Sequence, residues 1–155
     1  MPRLRVGRAI ESTSHQQTSV RVEVAHHAST SLREAVEQAF KDLEHKRGGP
    51  LLAATILGGG DHATFLEASV ASGAVFVATQ DDALVGVAIV RAGVLEALYV
   101  EPAHRRRGIG RALVNAVVAN RGAILDAYAL PGDRAMKSLY ESFGWKTRLL
   151  TMRGE

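Results

Sequence analysis

The sequence VEPAHRRRGIGRALV, residues 100–114, places four arginines and two glycines immediately before an apolar run with helical spacing. The first N–H groups of a helix lack intrahelical acceptors and carry partial positive charge, so added cations repel one another there unless an anion is bound. Gly108 and Gly110 let the backbone approach such an anion closely, and arginine pairs well with phosphate oxygens. The stretch therefore predicts a phosphate or pyrophosphate site where a helix begins near Ile109.

The composition limits the classes of protein to consider. A chain of 155 residues with 46% hydrophobic residues suits a single domain with a sizeable core, and we expect a flexible tail over residues 1–19 and one domain over 20–155. The net charge of +3 permits an anionic ligand without requiring nucleic acid. The absence of cysteine excludes disulfides, a thiolate nucleophile and cysteine-bound metals, and fits a cytoplasmic location. No apolar run approaches the roughly 18 residues of a membrane span.

Hydrophobic spacing predicts the elements of the first half of the chain. Alternating valines predict a strand over residues 20–25. A capping box at Ser31 and Glu34 predicts the start of a helix that stops at the Gly48–Pro50 stretch. The apolar run 51–57 fits a short helix or irregular structure, and Asp61 is placed to cap a further helix that ends at Gly73.

The spacing of apolar residues changes in the second half of the chain. AVFVAT and LVGVAIV, residues 74–79 and 84–90, read as a hairpin, and VLEALYV, residues 94–100, reads as a third strand. A helix over 109–119, a short strand in 123–128, a helix capped by Asp133 and a last strand over 145–152 complete the pattern. This alternation predicts a three-layer α/β fold with a mixed sheet.

The residues Arg105-Arg106-Arg107-Gly108-Ile109-Gly110 resemble the Arg/Gln-x-x-Gly-x-Gly/Ala signature of the GNAT superfamily of acetyl-coenzyme A-dependent N-acetyltransferases. The segment AMKSLYESFGW, residues 135–145, resembles a second segment of that family, and the hairpin resembles its second and third strands. The resemblance covers about residues 20–153. It implies a mixed, mostly antiparallel central sheet flanked by helices.

The resemblance also implies a set of site residues for acetyl-coenzyme A, with backbone amides from about Arg107 to Ala112 holding the pyrophosphate and Val100 near the pantetheine arm. Tyr140 is then the general acid, which agrees with the need of a departing thiolate for a proton. Asp133 stands where family members often carry Asn, which puts a side-chain contact with the coenzyme in doubt. The implied cofactor-binding residues are Leu98, Tyr99, Val100, Arg105, Arg106, Arg107, Gly108, Ile109, Gly110, Arg111, Ala112, Asp133 and Tyr140.

An amine with a pKa of about 10.4 is mostly protonated at neutral pH and must lose a proton before it attacks a thioester. Glu96 is the first candidate base, because strict strand alternation puts it on the same side as Leu98 and Val100. Asp126 is the second candidate, and proton loss to water would remove the need for either.

The sequence leaves the acceptor open between a small-molecule amine and a peptide amine. Direct attack in a ternary complex is expected, because the chain has no cysteine to carry an acetyl group. Because the sequence continues only briefly after Trp145, we expect part of the acceptor site either to be open or to be supplied by a partner subunit in a homodimer. No metal is expected, and His26 and His27 fit a plain surface loop.

Three other functions compete with this interpretation. A dinucleotide-binding site would use the G-x-G pattern, but Leu113 occupies the place of the third glycine. A nucleic-acid-binding module would use the basic run, but aromatic residues make up only 5% of the chain and none interleaves with that run. A protein that binds acetyl-coenzyme A as a sensor, without catalysis, would share the same motifs.

Overall fold

A computed structural model describes residues 19–154, so the predicted tail over residues 1–19, apart from Ser19, lies outside the described part of the chain. The described residues form one five-stranded sheet in the order β1-β2-β3-β4-β5, with helices on both faces. The three-layer, mostly antiparallel α/β fold is confirmed. The elements are β1 (Arg21–Val24), α1 (Thr30–Glu44), α2 (Gly49–Leu57), α3 (His62–Ala71), β2 (Val75–Gln80), β3 (Ala83–Arg91), β4 (Val94–Val100), a 3-10 turn (Pro102–His104), α4 (Ile109–Arg121), β5 (Asp126–Ala127) and α5 (Arg134–Ser142).

The first four strands pair antiparallel, and β5 pairs parallel with β4. The β2–β3 hairpin closes through Asp81 and Asp82, with φ of 51° and 61°. Two positive φ values are what a two-residue hairpin turn needs to match the strand twist, and aspartate tolerates them better than most residues. The predicted hairpin is therefore confirmed.

Each face of the sheet has its own core. Leu32, Phe40, Ile56 and Leu66 from α1, α2 and α3 pack on one face, and Ile109, Leu113 and Val117 from α4, together with Tyr140 of α5, pack on the other. These side chains are almost fully buried. At roughly 1.5–3 kcal/mol for each large apolar side chain removed from water, the two cores are the main source of stability.

The start of α1 differs from the prediction. Ser29, not Ser31, is the N-cap, and its hydroxyl accepts a hydrogen bond of 3.2 Å from the backbone N–H of Leu32. Ser29 has the extended backbone that a cap requires, whereas Ser31 is already inside the helix. The helix ends at Glu44, and the run 51–57 is helical within α2, with Pro50 in its first turn, where a missing N–H does no harm.

A bulge in β4 overturns the expected direction of Glu96. Ala97 pairs with Ile89 and Leu95 pairs with Val90, so Glu96 is an extra residue in the ladder. Strict alternation fails at this point, because Leu95 and Leu98 pack in the α4 core, whereas Ala97 packs in the α1 core. Glu96 is bonded to Arg91, whose guanidinium reaches Ile56 of α2, and therefore lies on the face of α1 and α2, opposite Leu98 and Val100.

The predicted last strand over residues 145–152 is wrong. Residues 145–154 contain no helix or strand, and Leu149, Leu150 and Met152 are exposed. A strand needs a neighbouring edge, and β5 offers only Asp126 and Ala127. A side-chain contact of 3.2 Å between Arg148 and Asp126 is what joins this segment to β5.

Candidate active site

The start of α4 carries unsatisfied backbone donors. Gly108 is the N-cap, with φ of 80° and no side chain to cap the helix, and Arg106 also has a positive φ of 65°. Within the described chain, the backbone N–H groups of residues 106–111 have no hydrogen-bond acceptor, whereas the N–H of Ala112 bonds to the carbonyl of Gly108 at 3.0 Å. The donors of the predicted anion site therefore end at Arg111, one residue before the predicted limit.

Two of the four arginines near this helix start have structural partners. Arg105 donates to the carbonyl oxygen of Val100 at 2.9 Å and lies 3.6 Å from Asp42. Arg111 donates to the Ser142 hydroxyl at 2.9 Å on α5. Arg106 and Arg107 are exposed and have no partner among the described residues, so they remain available for an anion.

A cleft opens beside this helix start, where β4 and β5 separate. The two strands pair at Val94 and Leu95, and the last bond between them runs from the Tyr128 N–H to the Leu95 carbonyl at 3.1 Å. Beyond that bond the edge of β4 faces a cavity of about 390 Å³, called here the sheet cleft. One side of it is formed by Leu98, Val100, Ile109, Met136 and Leu139, and the other by Phe40, Leu43, Leu52, Ile56, Tyr99 and Tyr128.

These two groups belong to different faces of the sheet. The sheet cleft therefore passes between β4 and β5 and joins the face that carries the start of α4 to the face covered by α1 and α2. All the predicted site residues except Arg107, Ala112, Asp126 and Tyr140 line it.

Tyr99 and His104 face the sheet cleft with unsatisfied polar atoms. The Tyr99 hydroxyl and the His104 Nδ1 are buried and have no hydrogen-bond partner in the described part of the chain, and Tyr99 as a whole is only 6% exposed. Burial raises the pKa of the Tyr99 phenol above its usual value, and the charges of Glu101 and Asp42 act in the same direction. Buried polar groups are nearly always bonded, so these two atoms point to a ligand that enters the cleft.

Tyr140 lies in the α4 core behind the wall of the sheet cleft. Its ring is 7% exposed and stacks on Trp145 with centroids 5.4 Å apart. Burial, followed by the negative charge of Asp133, raises the pKa of its phenol well above 10. Helical side chains lean towards the helix N-terminus, so the ring of Tyr140 leans towards Met136 and Asp133, which line the cleft.

Three carboxylates line the sheet cleft, and each is matched by a cation. Both oxygens of Glu96 accept bonds from Arg91, at 2.6 and 3.2 Å. Asp133 caps α5 through the Met136 N–H at 3.0 Å and pairs with Lys46 at 3.2 Å. The third is Asp42, which accepts from Gln38 at 2.8 Å and lies beside Arg105.

Two site predictions change in the structure. Asp126, the second candidate base, is exposed beside Arg148 and does not line the sheet cleft. Gly110 is needed for packing, because a Cβ there would lie 3.2 Å from Leu139 Cδ2. Its missing side chain brings α4 close to α5, whereas a Cβ on Gly108 would meet nothing within 4 Å.

Several cleft residues have no local signal in the sequence. An isolated histidine in a basic loop, such as His104, is usually on the surface. Leu43 fits the apolar face of a helix, and Leu52 and Ile56 belong to the run 51–57, which fits a short helix or irregular structure, so neither pattern indicates a cleft wall. The ion pair of Lys46 with Asp133 joins residues far apart in the chain, and no local pattern reveals such a pairing.

Two kinds of feature are absent from the described residues 19–154. No group of three or more His, Asp or Glu side chains is arranged to hold a metal ion. None of the helices in that range has the length and apolar character needed to cross a bilayer.

Two features define the class of this protein: a mixed sheet in which β4 and β5 separate, and a helix, α4, that begins at glycines beside the gap. Residues 71–147 match the acetyltransferase (GNAT) domain family. The chain belongs to the GNAT superfamily of acetyltransferases.

The chain is 43% identical over 70 residues to a mycothiol acetyltransferase of Clavibacter sepedonicus. That stretch covers 43% of this chain and only 23% of the relative, so the chain spans less than a quarter of the relative's length.

Solved structures show the same fold. The PaiA N-acetyltransferase of Thermoplasma acidophilum, in complex with coenzyme A, has a TM-score of 0.59 at 16% identity, covering 84% of this chain and 91% of that one. The ribosomal-protein-S18-alanine N-acetyltransferase of Escherichia coli has a TM-score of 0.54 at 20% identity, covering 81% and 77%. At these identities the likeness concerns the fold alone.

Proposed function

We propose that this protein is an acetyl-coenzyme A-dependent N-acetyltransferase that acts on a primary amine. The observation that carries the proposal is the position of the unsatisfied N–H groups of α4 at one end of a cleft that passes through the sheet. One end suits a diphosphate, and the other end, between β4 and α1–α2, can admit a second substrate. Coenzyme A in a structure of the same fold supports this assignment.

The residues of the sheet cleft fit acetyl-coenzyme A. The N–H groups of Ile109, Gly110 and Arg111 would bind the diphosphate, helped by the positive end of the helix dipole. The free guanidinium groups of Arg106 and Arg107 would neutralise its charge. Tyr99 of β4 and His104 of the 3-10 turn line the same cleft, and the Tyr99 hydroxyl and His104 Nδ1 would bond to the amide groups of the pantetheine arm.

Acetyl-coenzyme A supplies an acetyl thioester, and the products are the N-acetylated amine and coenzyme A. Glu96, which lines the cleft on the α1–α2 side, takes the proton that the ammonium must lose. The neutral amine would then attack the carbonyl carbon of the thioester, so that a carbon–nitrogen bond forms. As the carbon–sulfur bond breaks, Tyr140 would donate a proton to the departing sulfur, and the second proton lost from the nitrogen would return Tyr140 to its neutral form. The raised pKa keeps Tyr140 protonated at neutral pH, which is the form that an acid requires. Transfer is direct, because the chain has no cysteine to hold the acetyl group.

Release of free thiol tests this function. The protein is incubated with acetyl-coenzyme A and with amines of several classes, and the thiol is titrated with a chromogenic reagent. Thiol release that depends on the amine, with an acetylated product seen by mass spectrometry, is expected. A rise in melting temperature with acetyl-coenzyme A, but no thiol with any amine, would instead identify a sensor.

A further inference from the structure

The end of the sheet cleft between β4 and α1–α2, where the acceptor amine is proposed to bind, limits the class of amine that fits. We propose that the wall formed by α1 and α2 selects a primary amine carried on an apolar body with no second positive charge. This inference rests on the proposed function, because it concerns the amine that reaches the thioester. It separates this chain from transferases that act on polycationic amines.

The wall is apolar. Phe40 and Leu43 of α1 and Leu52 and Ile56 of α2 line the cleft opposite β4, and the ring of Tyr128 continues that surface. Leu43, Leu52 and Tyr128 are half-buried, so they present carbon surface to the cavity. An alkyl or aryl group that covers this surface gains the hydrophobic free energy of removing it from water.

The charges in the same cleft are already balanced. All six carboxylate oxygens of Asp42, Glu96 and Asp133 lie beside a donor, and each carboxylate has its own cation, respectively Arg105, Arg91 and Lys46. Two more cations, Arg106 and Arg111, line the cleft as well. No uncompensated negative charge is therefore left among the described lining residues.

A second ammonium group on the acceptor would have to leave water for this environment. Burial of a charge without a partner is expensive, and the nearby lysine and arginines add repulsion. The reacting ammonium loses its charge inside the cleft, because it passes its proton to Glu96, whereas a second ammonium group has no such acceptor. An acceptor with one amine and an apolar body covers the carbon surface of the wall and brings no second charge into the cleft.

A matched pair of amines tests the inference. Hexylamine and 1,6-diaminohexane have the same carbon chain and differ in the second ammonium group. With saturating acetyl-coenzyme A, we expect kcat/KM for hexylamine to exceed that for the diamine by about tenfold or more. Kanamycin and spermidine serve as polycationic comparisons and should be poorer still.

Substitution of one wall residue adds a second test. Leu52→Asp places a free carboxylate in the wall and should reduce the preference for hexylamine at least several-fold. Leu51→Asp is the control, because Leu51 is the neighbouring residue of α2, is 56% exposed and does not line the cleft. Melting temperatures of both variants show whether each remains folded, and the comparison of amines on the unmodified protein does not depend on either variant.

The outcomes separate the two proposals. Equal or better use of the diamine or of kanamycin would overturn the inference and leave the transferase function standing. If no amine releases thiol, the transferase function fails. Calorimetric titration of each amine into the protein with coenzyme A then decides the inference, since binding of hexylamine in preference to the diamine supports it and any other result overturns it.

Discussion

Arg91 and Glu96 form a two-point ion pair across the bulge of β4, with Arg91 Nε 2.6 Å from Glu96 Oε2 and a terminal nitrogen 3.2 Å from Oε1. The same guanidinium donates to the Ile56 carbonyl at 2.7 Å and lies 4.5 Å from the centroid of the Phe65 ring. The bulge aims Glu96 at the α1–α2 side, where the acceptor amine is proposed to arrive. Arg91 therefore holds the proposed base in place and links it to α2 and α3.

Glu96→Gln should lower kcat by about 100-fold, because a neutral amide cannot take the proton of the ammonium. The control is Glu67→Gln, which breaks an Arg–Glu pair of 2.9 Å on the surface, with Arg33, away from the cleft. Equal effects of the two substitutions would show that water removes the proton.

Tyr140→Phe should lower kcat by about 100-fold and leave the Kd of acetyl-coenzyme A nearly unchanged, because the phenol acts on the leaving thiolate. Since the pKa of Tyr140 is raised, the phenol stays protonated from about pH 6 to pH 9, and it should add no alkaline limb to the wild-type profile. Steady-state kinetics and calorimetry check both points. An alkaline limb that is lost in the variant would contradict the raised pKa.

Tyr99→Phe should change the Kd of acetyl-coenzyme A rather than kcat, the reverse of what is expected for Tyr140→Phe. Loss of one hydrogen bond to the pantetheine arm should raise the Kd of acetyl-coenzyme A by about threefold to tenfold, with little change in kcat at saturation. Because the Tyr99 hydroxyl has no hydrogen-bond partner among residues 19–154, its removal should not lower the melting temperature. A large fall in kcat for Tyr99→Phe, together with an unchanged kcat for Tyr140→Phe, would assign the acid to Tyr99.

Local patterns in the sequence predicted most of the fold. The valine-rich hairpin, the helix that follows Gly108 and the helix capped by Asp133 each depend on neighbouring residues, and each was confirmed. The last strand failed, because strand formation depends on an edge elsewhere in the fold, and β5 is only two residues long. The start of α1 failed for a smaller reason, since Ser29 and Ser31 are both acceptable caps by sequence.

The same distinction applies to the candidate site: features set by neighbouring residues were predictable, and features set by distant segments were not. The start of α4, with its unsatisfied N–H groups, was predictable, because the glycines that shape it lie within one loop. That it binds an anion stays a prediction. The direction of Glu96 was not, because the bulge that reverses it appears only in the pairing of β3 with β4. The orphaned Nδ1 of His104 and the apolar wall of α1–α2 depend on packing between distant segments, which no spacing rule reports.

Gly108→Ala should weaken the binding of acetyl-coenzyme A by about tenfold, because a left-handed φ of 80° strains any residue with a Cβ and the loop must shift to relieve the strain. That shift moves the N–H groups proposed to bind the diphosphate. Calorimetry of the variant with coenzyme A and acetyl-coenzyme A checks the affinity.

The matched control is Gly73→Ala, because Gly73 has a φ of 71°, and a Cβ there, as at Gly108, would meet nothing within 4 Å. Gly73 follows α3 and does not line the sheet cleft. Each substitution should cost about 1–2 kcal/mol of stability through backbone strain. The loss of affinity should appear only at Gly108, because the strain is common to both sites and only one of them adjoins the proposed diphosphate. Equal affinities in the two variants would mean that the diphosphate is bound elsewhere.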